Sequence, residues 1–336
     1  MAEEAQPFIL ITTPVGAFEA RECAVSANTV PNARECAVSA VAVFPDRRHM
    51  VTGLGDHTLC LWDLRTGVML KKMKGHRNWV GAVAVSRDGR LIASGDANGE
   101  LIAWDGNTGE SLTQPIKIHS KQIVSLDFSP AGTVLASGSW DTTTELWSTR
   151  TWQEQGNAIN CIDYVHCVRH SPLGEYLAIA TSKDVQIWTT DKRECIAHFQ
   201  SYHAAHDPAW NYSLAWTSDG TRLLSGSNPD PTIQEWDTST WKQVNDSWKG
   251  RTAASAITGD HTGSFVASAS TDHPRLGRLS DRRTIAIFKH SDDVYTDSFS
   301  TYYKHIPSAG RHRKFLDWPV QDSLFNSKAC FHHRLL

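Results

Sequence analysis

The stretch from Gly75 to Asp105, GHRNWVGAVAVSRDGRLIASGDANGELIAWD, returns along the chain, and that return restricts the possible folds more than any other feature. A Gly-His pair opens it, followed by alternating small and branched residues at Ala82–Val85 and a polar turn at Arg87–Gly89. An apolar run at Leu91–Ala93, a second turn around Asp96–Gly99 and a third run closing on Trp104-Asp105 complete the unit. Alternation with period two, broken by Gly, Asp and Asn about every 8–12 residues, specifies short antiparallel strands and not helices. The closing tryptophans Trp62, Trp104, Trp147, Trp188, Trp236 and Trp318 lie 42, 43, 41, 48 and 82 residues apart, and the last interval is twice 41. A seventh marker would fall at Gly277, where RLGRLSD stands in its place.

Seven in-phase units of this length, with a Gly-His opening and a Trp-Asp close, resemble the WD40-repeat family over roughly residues 14–320. The resemblance implies an all-β, seven-bladed β-propeller closed by the N-terminal strand joining the last blade. Ile9–Glu19 would supply the outer strand of the blade that ends at Trp318, removing two open sheet edges. Residues 1–8 then read as a flexible N-terminus, 9–320 as the propeller and 321–336, which lack periodicity, as a C-terminal tail. The octapeptide ARECAVSA occurs twice, at Ala20–Ala27 and Ala33–Ala40, and only the second copy runs into the first full repeat. Residues 20–32 are therefore expected to bulge out as a duplicated loop.

The units are unequal. The third, His119 to Trp147, is the most complete. The fourth has no Gly-His and a shortened turn at Ser182–Asp184, and the fifth has an enlarged opening, Ser201–Tyr212. The sixth has Gly250-Arg251 for Gly-His and no tryptophan, which marks it as the weakest.

In the third unit, His119, Ser137, Asp141 and Trp147 match the hydrogen-bonded structural tetrad of the family residue by residue. The aspartate accepts from the imidazole, the imidazole reaches the serine hydroxyl, and the indole N–H closes the chain, so each buried polar group finds a partner. Partial tetrads follow: His76, Ser94 and Trp104 with Asn98 for the acid; Thr52, Asp56 and Trp62 with Arg34; and His290, Ser308 and Trp318 with His312. Because an unpaired buried polar group costs roughly 1–3 kcal/mol, these units are expected to be looser than the third.

A Ser-His-Asp set also raises hydrolysis, but the tryptophan completes a structural network and no G-x-S-x-G elbow is present. Nor is there a Walker loop, a G-x-G-x-x-G after a strand, an H-E-x-x-H or a C-x-x-C pair. No catalytic residue, metal or cofactor is expected, and the chain reads as a non-enzyme. Seven scattered cysteines suit reduced thiols in an intracellular compartment. No apolar run reaches the ~18 residues of a membrane span, and a net charge of −3 gives no global field for nucleic acid. The cytoplasm or the nucleus is the expected location.

The resemblance implies a binding module whose contacts lie where each inner strand opens and just before the turn acid. These positions hold Trp79, Gln122, Tyr164 and Trp210, with Trp140 at a pre-Asp position. Tyrosine and tryptophan on rigid loops are the side chains enriched in binding hot spots. The expected function is a scaffold or adaptor that binds other proteins through the top face of the propeller, with no small-molecule substrate, membrane or nucleic acid. The alternative is the stand-alone or separated sensor propeller of a NACHT-type signalling protein.

Overall fold

The computed structural model describes residues 10–12, 16–19, 38–200, 210–228, 232–244, 248–249, 256–259, 264–269, 275–282, 284–288, 294–297, 305–310 and 314–319. All regular structure among these residues is β, in sheets whose pairing is antiparallel apart from one N-terminal strand, of the kind a β-propeller is made from. The duplicated segment 20–32, residues 201–209 of the fifth unit's opening, Arg34, His290, His312 and the tail 321–336 lie outside the described residues.

The period read from the tryptophans is the period of the sheets. Sheet one takes Val38–Val43, His49–Leu54, Thr58–Asp63 and Val68–Lys74 in sequence order. Sheet two takes Val80–Val85, Leu91–Asp96, Glu100–Asp105 and Ile116–Lys117; sheet three takes Ile123–Phe128, Val134–Ser139, Thr143–Ser148 and Ile159–Asn160. Sheet four runs from Val165–His170 to Cys195–Gln200, and sheet five from Trp210–Trp216 to Lys242–Gln243, with Trp248–Lys249 also on its third strand. Each is a meander of neighbouring strands joined by short turns, which suits the Gly, Asp and Asn clusters between the apolar runs. The unit without its tryptophan also forms a sheet: Ala256–Gly259, Phe265–Ala269, Arg275–Arg278 and Thr284–Phe288 pair in order. There Leu276, Val266 and Ala267 are buried, and Val266, the cross-strand partner of Gly277, packs with Ala215, Leu224, Ile233 and Ile257.

The N-terminal segment departs from the expected single strand. Gly16–Glu19 pairs antiparallel with Lys314–Pro319, as the sequence suggests, but Leu10–Thr12 pairs in parallel with Thr284–Phe288 of the preceding sheet. Pro14 separates the two pieces. A proline has no N–H to give to a ladder, so one continuous strand through it is disfavoured.

The first strand of each of sheets one to five lies against that of the next, and the cores form between sheets. One rung of the second strand makes this close approach possible. A Cβ at Gly95 would stand 2.5 Å from Ile123 Cγ2, the first residue of the next inner strand. Gly53 receives Val80 and Gly138 receives Val165 in the same way. The inner strands of sheets one to four also share a β-bulge one residue in, at Ser39, Gly81, Val124 and His166. A bulge turns the strand locally, and here it sets the angle at which each strand leaves the loop before it.

Candidate functional site

His119 sits in the segment leading from sheet two into sheet three, Ser137 on the second strand, Asp141 in the following turn and Trp147 on the third strand. His119 Nδ1 lies 3.0 Å from Asp141 Oδ2, and Nε2 lies 2.8 Å from Ser137 Oγ. Trp147 Nε1 donates to the same hydroxyl at 3.3 Å. An ionised carboxylate only accepts, so the proton sits on Nδ1 and the serine hydroxyl donates to Nε2. The chain of donors therefore runs from indole to hydroxyl to imidazole to carboxylate. Asp141 also takes Ser120 N–H at 2.9 Å and both the N–H and the hydroxyl of Thr143, at 3.1 and 2.6 Å. Burial pushes the Asp141 carboxyl up, but the hydrogen bonds from His119 and Thr143 outweigh it and hold the group far below the usual carboxylate range. A depressed pKa contributes stability that is present above the ordinary carboxylate range and is lost as acid protonates the folded state. Ser137 is fully buried and already accepts from Trp147, so its hydroxyl is no accessible nucleophile.

The other units use the same hydroxyl position with different surroundings. In sheet two, His76 Nε2 lies 2.6 Å from Ser94 Oγ and Trp104 Nε1 2.8 Å from it. The acid is not missing there: Asp96, two residues before Asn98, brings Oδ2 to 3.3 Å from His76 Nδ1, with both side chains fully buried. The contact has ion-pair distance without hydrogen-bond alignment, and Asp96 Oδ1 is taken by the N–H groups of Asn98 and Glu100. In sheet one, Trp62 Nε1 donates to Thr52 Oγ1 at 2.9 Å, and Asp56 is paired with Lys72 Nζ at 2.8 Å. An ammonium from the outer strand thus meets the acid. In sheet five Trp236 Nε1 donates to Ser225 Oγ at 3.0 Å across eleven residues, where Trp62, Trp104 and Trp147 reach a hydroxyl across ten. In sheet four the indole of Trp188 turns to Gln186 Oε1, 3.1 Å away. The side chains of Ser308 and Trp318 lie outside the described residues.

Glu145, on the third strand of sheet three, gives a pH test. Burial raises its carboxyl to about 7, with the His119 ring opposing the rise and Glu154 and Asp141 adding to it. The folded state then keeps a proton that the unfolded state gives up from about 4.5, so this group costs stability as pH rises from about 4.5 to about 7. Glu145→Gln is expected to melt higher than the wild type at pH 8 and equally at pH 4, measured by thermal unfolding at both.

At the end of the sheets where the inner strands open, three aromatic side chains stand out. Trp79 is 39% exposed, Trp140 40% and Tyr164 48%. Backbone hydrogen bonds place Trp79 and Tyr164 equivalently, as acceptors from Ala97 N–H and Ser182 N–H at 3.0 Å, while Trp140 stands at the donor position, its N–H reaching Gln122 O at 3.2 Å. Gln122 occupies the matching position but does not share the exposure. It is 9% exposed, because its amide packs where Gly81 leaves room in the neighbouring inner strand, so it belongs to the wall between sheets. Trp210 opens the inner strand of sheet five opposite Asn228, and its side chain is outside the described residues. Among the described residues no three His, Cys, Asp or Glu side chains gather as a metal site, and no helix is long and apolar enough to cross a membrane.

Residues 37–274 match a family described as the IFT122 first beta-propeller. The small ribosomal subunit protein RACK1 of Neurospora crassa is 31% identical over 122 residues, which is 35% of this chain and 38% of that protein. MST50-interacting protein 11 of Pyricularia oryzae is 30% identical over 123 residues, again 35% and 38% of the two chains. The human intraflagellar transport protein 122 homolog is 28% identical over 116 residues, 34% of this chain and 9% of that protein. The matched segments thus span well under half of each relative.

Proposed function

The chain belongs to the IFT122 first beta-propeller family, a family of WD40-repeat propellers, and from that membership we propose that it is a non-catalytic scaffold or adaptor that binds other proteins. The proposed body is a seven-bladed ring over residues 9–320, with 321–336 as a tail. Pairing of Gly16–Glu19 with Lys314–Pro319, and the proximity of Val294–Asp297 to Val38–Val43, support its closure. The names of the relatives support the role: one is a ribosomal subunit protein, one an intraflagellar transport protein and one is named for an interaction. The proposed location is the cytoplasm, which the ribosomal name of one relative supports. The partner surface is the top face, and Trp79, Trp140 and Tyr164 carry the reading. Trp79 and Tyr164 occupy corresponding strand-opening positions and Trp140 the pre-Asp position on the sheet between them, and all three keep aromatic area in water, while the closing tryptophans Trp104 and Trp147 bury theirs.

Trp79→Ala with Trp140→Ala tests it. Exposed truncations of this kind change folding stability by only about 0.5 kcal/mol, whereas hot-spot aromatics cost a complex about 2 kcal/mol or more each. Affinity capture from the native cell should lose partners with the double variant while its melting temperature stays near that of the wild type. Equal capture by both proteins would remove this surface from the account.

A further inference from the structure

Around Tyr164 the top face presents hydrogen-bond donors and withdraws its acceptors. Lys121 Nζ rests 5.1 Å from the centre of the Tyr164 ring, and no carboxylate among the described residues pairs with it. Lys183, with a side chain 78% exposed, holds Asp163 at 2.8 Å, and that carboxylate is 18% exposed. Asp141, 9% exposed, spends its oxygens on His119, Ser120 and Thr143. The neighbouring pairs have the same polarity: Arg77 is 74% exposed over Glu100 at 14%, and His198 54% over Asp184 at 17%. The opposite end is mixed, with Glu110, Asp88 and Asp46 themselves 75%, 60% and 47% exposed.

Ile162 gives the patch an apolar point. It is 84% exposed and has φ +69°, a conformation that a β-branched side chain rarely adopts. Its N–H is held by Asn160 Oδ1 at 3.0 Å. A strained residue that keeps its aliphatic side chain in water, two residues before Tyr164, is the pattern of a contact point and not of a core.

Resting on the scaffold reading above, we propose that the face formed by Lys121, Trp140, Ile162, Tyr164 and Lys183 binds an acidic peptide segment of a partner protein, with an aliphatic or aromatic side chain set among its carboxylates. The ammonium groups supply charge-assisted hydrogen bonds to the carboxylates, and Trp140, Ile162 and Tyr164 take the apolar side chain. Binding of this kind is salt-sensitive, because the ammonium groups are exposed.

The full chain is applied to an array of short synthetic peptides, in which each Leu/Phe frame is made in acidic, amide-neutral and basic versions, and the retained frames are measured in solution. Acidic versions should be retained over their neutral counterparts. Lys121→Glu with Lys183→Glu should weaken them about tenfold, while the chain still unfolds cooperatively. Ile162→Gly should also weaken them while melting no lower than the wild type, since glycine is at ease at this φ. Equal retention of neutral or basic versions, retention of none, or charge reversal without effect overturns the proposal. So does tighter binding of phosphatidylserine vesicles or of a single-stranded oligonucleotide than of any acidic frame. Should the Trp79/Trp140 double variant lose its cellular partners while the array shows no charge preference, the scaffold reading stands and the acidic segment falls.

Discussion

Gly99→Ala is expected to lower the unfolding free energy by about 3 kcal/mol or more, the sum of backbone strain and overpacking. Gly99 closes the turn before the third strand of sheet two at φ +78°, in the left-handed region. An added Cβ would collide with the backbone carbonyl of His119 and stand 2.5 Å from that of Lys121. Backbone cannot rotate aside as a flexible side chain can. The same glycine accepts the N–H groups of Ile118 and His119 through its carbonyl, at 3.0 and 3.1 Å. Displacing it therefore moves the segment that delivers His119 to Ser137 and Asp141 in the next sheet. Gly132→Ala is the matched control: φ is +70°, but no atom lies within 4 Å of the new Cβ. It should cost only the left-handed strain, about 1–2 kcal/mol. Urea unfolding of both variants separates strain from collision, and equal losses would show that the close approach is unimportant.

Trp104→Ala should cost about 3–5 kcal/mol, the range for deleting a buried tryptophan from a packed core. Its ring is 2% exposed and packs among Val80, Ile92 and Ile102. Trp104→Phe divides the loss into its parts. It retains most of the apolar area but removes the N–H that reaches Ser94 at 2.8 Å, and should cost about 1–2 kcal/mol. If Phe were as damaging as Ala, the hydrogen bond and not the packing would dominate. If Phe were neutral, the network through Ser94 and His76 would add nothing to stability.

The repeating period made most of the architecture legible, because a strand pair with a tight turn leaves a local mark at each turn and each closing indole. Sheets one to five follow the tryptophans directly. The buried networks were only partly legible, since spacing along the chain stands in for distance only while the turn length is constant. Ser225 went unassigned, and it stands eleven residues from Trp236 where Thr52, Ser94 and Ser137 stand ten from their tryptophans. Asp96 escaped because a carboxylate can reach His76 from the end of the second strand as well as from the turn. The split of the N-terminal segment between two sheets left only Pro14 as a sign. Exposure of Trp79, Trp140 and Tyr164 could not be read in advance: an aromatic residue at a strand opening is compatible with either packing or display until its neighbours are placed.

The plug-and-socket rung seen at Gly53, Gly95 and Gly138 has a consequence for how such a chain changes length. The three junctions at Gly53, Gly95 and Gly138 are built from the same two shapes, a vacant Cα and the branched side chain that opens the following unit. Cutting out one whole unit, from just after one socket to just after the next, brings a socket against the plug that the lost unit used to face. Duplication or loss of one of these units is thereby nearly silent at the seam, and in the proposed ring its cost falls instead on the circumference.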